Sequence, residues 1–271
     1  MRMLAEDAVK NASLTASSTA SGFSVENLKT DKRSSCWRST AISSQTITAT
    51  WPSPQTINAV GIAFANFLVG STVRARLFTN TADGSPVVDS GVQIINFVYP
   101  PPAGFAANNM SSFAYGGGNY FFLPVTQASV RKLEIIVTNP AGVDAFIEMA
   151  RLVAGQASQI NSGMSFGSEV GFKDQSRVDR TDGGDTVIDR RPVSKTISLD
   201  LSLLTSAERA IVQAIARRNS VHTPVFISAY EKTSDLPTKM DYQIYGYLTG
   251  QRGISLESAI YSALKLGVEE I

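Results

Sequence analysis

The sequence is short of the side chains from which most active sites and metal centres are built. Among 271 residues there is one cysteine, Cys36, and one histidine, His222. A single cysteine excludes an internal disulfide framework and any zinc site made of cysteines, so the fold has to hold by packing alone. A single histidine rules out a multi-histidine metal centre, and a catalytic triad would have to be built around His222 itself. That residue stands just before the apolar run PVFIS, a strand-entry position suited to a structural or surface role. No stretch approaches the roughly 18 uninterrupted apolar residues of a membrane span. The opening MRMLAEDAVKNASL has no apolar segment of signal-peptide length, so synthesis and folding in a cytosol are expected. The 24 basic and 23 acidic side chains leave a net charge of +1, which provides no field to attract nucleic acid or an anionic membrane.

Catalytic and nucleotide-binding motifs are missing too. YGGGNY is glycine-rich but lacks G-x-x-x-x-G-K-[ST] spacing, and no G-x-S-x-G elbow is present. The densest acidic group, Asp182, Asp185 and Asp189, does not follow the calcium-loop pattern D-x-[DN]-x-[DN]-G. These three carboxylates are the only basis for a glycoside-cleaving reading, and pairing with neighbouring arginines is the simpler one. No cofactor, no metal and no enzymatic activity are expected.

What the chain has in quantity is strand-forming sequence. From Leu14 to about Val153, short runs of Ser, Thr, Val, Ile and Phe are broken by Gly, Pro and Asn, the texture of an all-β domain. QTITATW places Ile47, Ala49 and Trp51 on one face, PSPQ reads as a turn, and INAVGIAF as the next strand. TVRARLF places Val73, Ala75 and Leu77 on one face; YFFLP, KLEIIVT and AFIEMARLVA complete the set. Residues 39–130 contain four charged side chains, Arg74, Arg76, Asp83 and Asp89, so an uncharged surface there is expected to be hidden in contacts. A long loop before YFFLP gathers aromatics at its ends and middle. Tyr99, Phe105, Phe113, Tyr115 and Tyr120 are candidates for carbohydrate or partner contact.

Composition shifts at GQASQINSG, dividing the chain into expected domains of 1–157 and 158–271. Residues 169–191 hold six acidic and five basic side chains around DGGD, a turn signal, which predicts a charged hairpin within 169–200 projecting from the body. Arg177, Arg180, Asp182, Asp185, Asp189, Arg190 and Arg191 are its candidate inter-subunit contacts. Thr205 and Glu208 form a capping-box pattern opening a helix over 206–218, with Ile211, Ala214, Ile215 and Arg218 at helical spacing. TPVFISAY and DYQIYGYLTG read as strands, and SAIYSALKLGVEEI as a final strand, with a short helix as the alternative.

Two resemblances follow from these segments. LTASSTASGFSVENLKTDKRSSCWRST, then QTITATWPSPQTINAVGI, VRKLEIIVT and FIEMARLVAG, resemble in order and spacing the discoidin, or factor 5/8 type C, branch of the galactose-binding-like fold. The resemblance implies a jelly-roll β-sandwich over about residues 13–155, of a kind that binds sugars or lipids or serves in adhesion and assembly. In this stretch Leu28 and Trp37 are expected to fill the core, Asp31 to favour a turn, Cys36 to be unreactive, and Lys32, Arg33 and Arg38 to remain for surface contacts. The charged hairpin running into RRPVSKTISLDLSLLTSAERAIVQAIARRNSVHTPVFISAY and YQIYGYLTG is similar to distal tail and baseplate proteins of long-tailed bacteriophages. That resemblance implies a second β-sandwich or barrel-like domain with one packed helix. It implies a homo-oligomeric ring, partnered by tube, hub and fibre proteins in a virion tail tip and assembled in the host cytoplasm. The alternative is a carbohydrate-binding adhesin contacting host surface polysaccharide.

Overall fold

The computed structural model describes residues 1–67, 70–95, 118–140, 145–231, 236–249, 254–256 and 262–271. The chain is mainly β, in two antiparallel sheets of eight strands each plus a separate two-stranded ribbon.

The first unit is a jelly-roll sandwich. Its sheet runs in the order Trp37–Arg38, Glu148–Gly155, Gln45–Ala65, Asn119–Thr138, Ser71–Phe78, Val88–Asp89, with Ser13–Ala16 and Gln93–Ile95 added at the sides. Two strands are far longer than expected. Gln45–Ala65 runs without a break through the proposed PSPQ turn, and Asn119–Thr138 joins YFFLP to KLEIIVT. The register between them shifts between Thr50 and Gln55, where Pro52 and Pro54 interrupt the pairing. Proline donates no ladder hydrogen bond, so the segment bends both strands instead of ending them. Each long strand thus serves both layers. One half of Gln45–Ala65 pairs with Ser13–Ala16, the other with Glu148–Gly155, and the core lies between.

That core follows the expected periodicity. Ile47, Ala49, Trp51, Val73, Ala75 and Leu77 are buried together with Leu28 and Trp37. Both indoles find acceptors, Trp37 at the Ser18 carbonyl (3.2 Å) and Trp51 at the Ala8 carbonyl (2.8 Å). Cys36 is buried, and burial with the nearby Glu148 charge pushes its thiol up to about 11.

The second unit's sheet has the order Ser158–Gln159, Arg2–Leu4, Val225–Ser228, Gln243–Thr249, Ser262–Glu270, Val193–Leu204, Glu169–Asp174, with Ile254–Leu256 paired to Ser262–Glu270. Arg2–Leu4 therefore belongs to the second sheet although it opens the chain, and the jelly roll is spliced between that strand and its neighbour Ser158–Gln159. Met1 and Met3 pack in the second core beside Ile197, Leu199, Leu266 and Ile244. The helix spans Ser206–Asn219 and carries the expected capping box. Its buried face is Glu208, Val212, Ile215 and Asn219, one residue round from the expected face, leaving Ala214 and Arg218 exposed. The rotation has a polar cause. The Glu208 carboxylate accepts the backbone amides of Asn161 and Ser162 (2.7 and 3.0 Å), and Asn219 donates to the Ala5 carbonyl (2.9 Å). Burial works to raise the Glu208 carboxyl, yet the hydroxyls and amides of Ser162 and Thr205 hold it down at about 2.

The two units meet through an apolar seam and a buried charge. Ala59, Ala63, Phe64, Phe122 and Val153 of the first unit face Leu4, Phe226 and Tyr245 of the second. Phe226 lies 5.5 Å from Phe122 and 6.1 Å from Tyr245, ring centre to ring centre. Gly61 makes room for it, since a Cβ there would stand 2.7 Å from the Phe226 ring. The expectation that the uncharged surface is hidden holds in part within the chain itself: INAVGIAF is covered by the core on one face and by the second unit on the other.

Beside this seam Arg151, 1% exposed, is held by Asp7 (2.5 Å), Asp31 (3.2 Å), the Tyr245 hydroxyl (3.0 Å) and the Leu28 carbonyl (2.8 Å). Burial pushes the Asp7 carboxyl up against the pull of Arg151. Burial also works to raise Asp31, but hydrogen bonds from Lys10 and Tyr245 and the Arg151 charge hold it below the ordinary value. Asp31 is therefore more than a turn residue. Removing one partner of a buried charge pair leaves the other uncompensated, at a cost of about 3–5 kcal/mol. Arg151→Met should lower the unfolding free energy by about that amount in urea titrations. The double change with Asp7→Asn should recover part of the loss; equal losses would contradict the pairing.

Candidate functional site

Two surfaces stand out, the charged arm and a cleft at the edge of the jelly roll. The arm comprises Arg177–Arg180 and Thr186–Asp189, paired Arg177 to Asp189, Val178 to Ile188, Asp179 to Val187 and Arg180 to Thr186. Its turn is closed by Gly184 donating to the Thr181 carbonyl (2.9 Å) and Asp185 donating to the Thr181 hydroxyl (3.1 Å). Gly184 has φ +88°, a left-handed conformation that glycine adopts without a steric penalty. The arm continues the strands Glu169–Asp174 and Val193–Leu204 past the sheet, and every residue in it is exposed. The structure thus brings Arg177, Arg180, Asp182, Asp185, Asp189, Arg190 and Arg191 onto one projecting ribbon. Arg177 pairs with Asp179 (2.9 Å) and Arg191 with Asp189 (3.0 Å), both in full solvent where such pairs contribute little. Sequence reading concentrated on these charges and passed over the aliphatic residues between them. Val178, Val187 and Ile188 are 61%, 54% and 62% exposed. Phe172, on the strand that leads into the arm, is 75% exposed.

The cleft has a volume of about 310 Å³ and lies between Val88–Ser90, Gln93 and Ile94, the segment Phe121–Thr126, and Lys239. Lys239 belongs to the second unit, on the helix Leu236–Asp241, which the sequence reading did not foresee. The next residue, Met240, packs into the first unit's core and so fixes that helix against the jelly roll. Asp89 is held by Arg74 in a two-pronged pair (2.9 and 2.5 Å), which with the Gly91 amide brings its carboxyl down to about 2. Gln93 donates to the Ser90 carbonyl (2.8 Å). Among the described residues Lys239 forms no ion pair or hydrogen bond.

Of the five aromatic candidates, Tyr99, Phe105, Phe113 and Tyr115 lie outside the described residues. Tyr120 does not stand on an outer surface. It is buried in the seam, where its hydroxyl donates to Glu270 and its ring packs against Phe64 and Phe226. Burial beside the Glu270 charge pushes its hydroxyl far up. Arg33, expected on the surface, also bonds Glu270 (3.3 Å). Arg38 lies over the Phe23 and Phe146 rings and pairs with Glu148 (2.5 Å). His222 is exposed beyond the helix C-terminus. No group of three or more His, Cys, Asp or Glu able to hold a metal occurs among the described residues, and no described helix is long and apolar enough to cross a membrane.

No family model matches the chain, and no curated protein matches it. It is similar to solved structures. One is chitosan-binding module 1 from a Paenibacillus chitosanase/glucanase, at 15% identity over 56% of this chain and 99% of that one, TM-score 0.37. Another is CBM32-3 from a family 31 glycoside hydrolase of Clostridium perfringens, at 13% identity over 54% and 96%, TM-score 0.40. A third is a Ruminococcus gnavus GH29 fucosidase, at 11% identity over 57% of this chain and 27% of that one, TM-score 0.40. At such identities and scores the likeness carries no argument about function.

Lys195 marks the chemistry of the seam. Its ammonium donates to the Gln243 carbonyl (3.1 Å) near Tyr120, and burial brings it down to about 8 from 10.5. A lysine depressed on folding weakens the fold at pH values where it must stay charged, and this penalty fades as pH rises through the folded value towards the unfolded one. Lys195→Met should therefore melt higher than the native chain at pH 7. The difference should shrink between about pH 8 and 10.5; parallel melting profiles would contradict the burial.

Proposed function

We propose that this chain acts by binding and assembly, not by catalysis, and that its arm engages another copy of the chain. The observation that carries this reading is the arm itself. An isolated two-stranded ribbon is marginally stable in water, and this one leaves Val178, Val187 and Ile188 uncovered. Such a ribbon gains order and buried apolar area when it lies on a neighbour. Residues 177–191 carry four arginines and four aspartates, so the arm is neutral overall and suited to a surface of its own alternating kind. A head-to-tail contact of this sort repeats round a ring if the rotation closes. The setting we infer is the tail tip of a long-tailed bacteriophage, where a ring would link the tube to hub or fibres. That setting rests on the sequence resemblance of the second unit, and the comparisons do not bear on it.

The edge cleft favours a second reading, saccharide binding by the jelly-roll unit. Phe121 lines the cleft together with Ser90, Gln93 and Asp89, so the lining offers both apolar and hydrogen-bonding groups, which is what the two kinds of face on a sugar ring require.

Sedimentation velocity tests the first reading. The native chain should form a concentration-dependent oligomer, and Val178→Asp with Ile188→Asp should return it to monomer with an unchanged melting temperature. A native chain that stays monomeric at high concentration would overturn it.

A further inference from the structure

We infer that the cleft between the jelly-roll edge and the helix Leu236–Asp241 selects an anionic sugar, a pyranose-sized ring bearing one carboxylate, and that Lys239 of the second unit is its specificity-determining residue. The inference rests on the saccharide reading of the first unit and adds to it the charge of the ligand and the place of the site. Size comes first. A volume of about 310 Å³ is at the bottom of the range for small-molecule sites and suits one ring with its substituents.

Charge comes second. Two formal charges line the cleft, Asp89 and Lys239. Asp89 is already neutralised by Arg74, whose guanidinium meets both of its oxygens. Lys239 has no counter-charge among the described residues, so the described lining presents one positive charge that none of its own members pairs. A neutral sugar entering here would strip water from that ammonium and return nothing to it, whereas a carboxylate would return a charge-assisted hydrogen bond. The remaining lining divides between Phe121, which can cover the apolar face of a ring, and Gln93, whose amide is turned to the cleft wall through its bond to the Ser90 carbonyl.

Third, the site is composite. Met240, buried in the first unit's core, anchors the short helix and so holds Lys239 at the edge of a cleft otherwise made by the jelly roll. Ligand charge is thus sensed by one unit and ligand shape by the other.

The test uses the full chain and isothermal titration calorimetry at low salt, with D-glucuronate and D-galacturonate against D-glucose and D-galactose. The acids should bind at least tenfold more tightly than the neutral sugars, and added salt should narrow the gap. Lys239→Gln should abolish the preference and Lys239→Arg should keep it, both with native melting temperatures. If neutral and acidic sugars bind alike, or the preference survives Lys239→Gln, the inference is overturned while saccharide binding stands. If none of the four binds, both fall.

Discussion

A guanidinium buried in an apolar strand is the constraint on which the rest of the structure depends. Arg151 sits in EMARLVAG, all of whose residues are buried, and a charge in such surroundings persists only when it is fully partnered. Its partners come from three separate parts of the chain: Asp7 after the opening strand, Asp31 and Leu28 in the entry loop of the jelly roll, and Tyr245 in the second sheet. Satisfying one side chain therefore fixes where the N-terminal strand leaves the second sheet, how the entry loop lies, and how the second unit sits on the first. A buried ionic group of this kind is a weak source of net stability compared with an apolar replacement, but it is intolerant of a misplaced partner. Its contribution is to admit one arrangement of the two units. Phe226 seated over Gly61, Met240 in the first core and Lys239 at the cleft all follow from that arrangement.

How much of this was legible in the sequence depended on the range of the interaction. Local signals carried well. Alternation in QTITATW and TVRARLF marked buried faces, the Thr205 and Glu208 pair marked the helix start, and DGGD marked the arm. Signals failed where tertiary contact overrode them. The prolines of PSPQ read as a turn, yet the strand passes through them because both layers of the sandwich share it. The helix face turned by one residue because Glu208 and Asn219 are held by backbone groups of the linker and of Ala5, partners distant in sequence.

The seam was partly readable and partly not. A stretch with almost no charge had to be covered, and INAVGIAF is, but by the chain's own second unit. Arg151 and Glu148 in the run FIEMARLVAG were the local signs of buried charge, and Asp7 and Tyr245 carry no sign of their own. Tyr120 looked like a contact residue because aromatics cluster near it in sequence, and burial places it in the seam. The cleft was invisible, since Phe121 and Gln93 meet only through the jelly roll's long-range pairing and Lys239 joins them only by the docking of the two units. The arm's charges were seen and its aliphatic residues were not, although Val178, Val187 and Ile188 are the arm's exposed apolar side chains, which a neighbour would cover.

A body of two locked units with one uncovered ribbon is suited to repeating contact, because the lock holds the arm at a set direction while the ribbon reaches beyond the fold. The most direct measurement of this claim is amide hydrogen exchange across Arg177–Arg180 and Thr186–Asp189 at increasing protein concentration. The account predicts that these amides exchange quickly in dilute solution and become protected as concentration rises, with the Arg151 strand protected throughout. Arm amides that exchange at one fast rate at every concentration would contradict it.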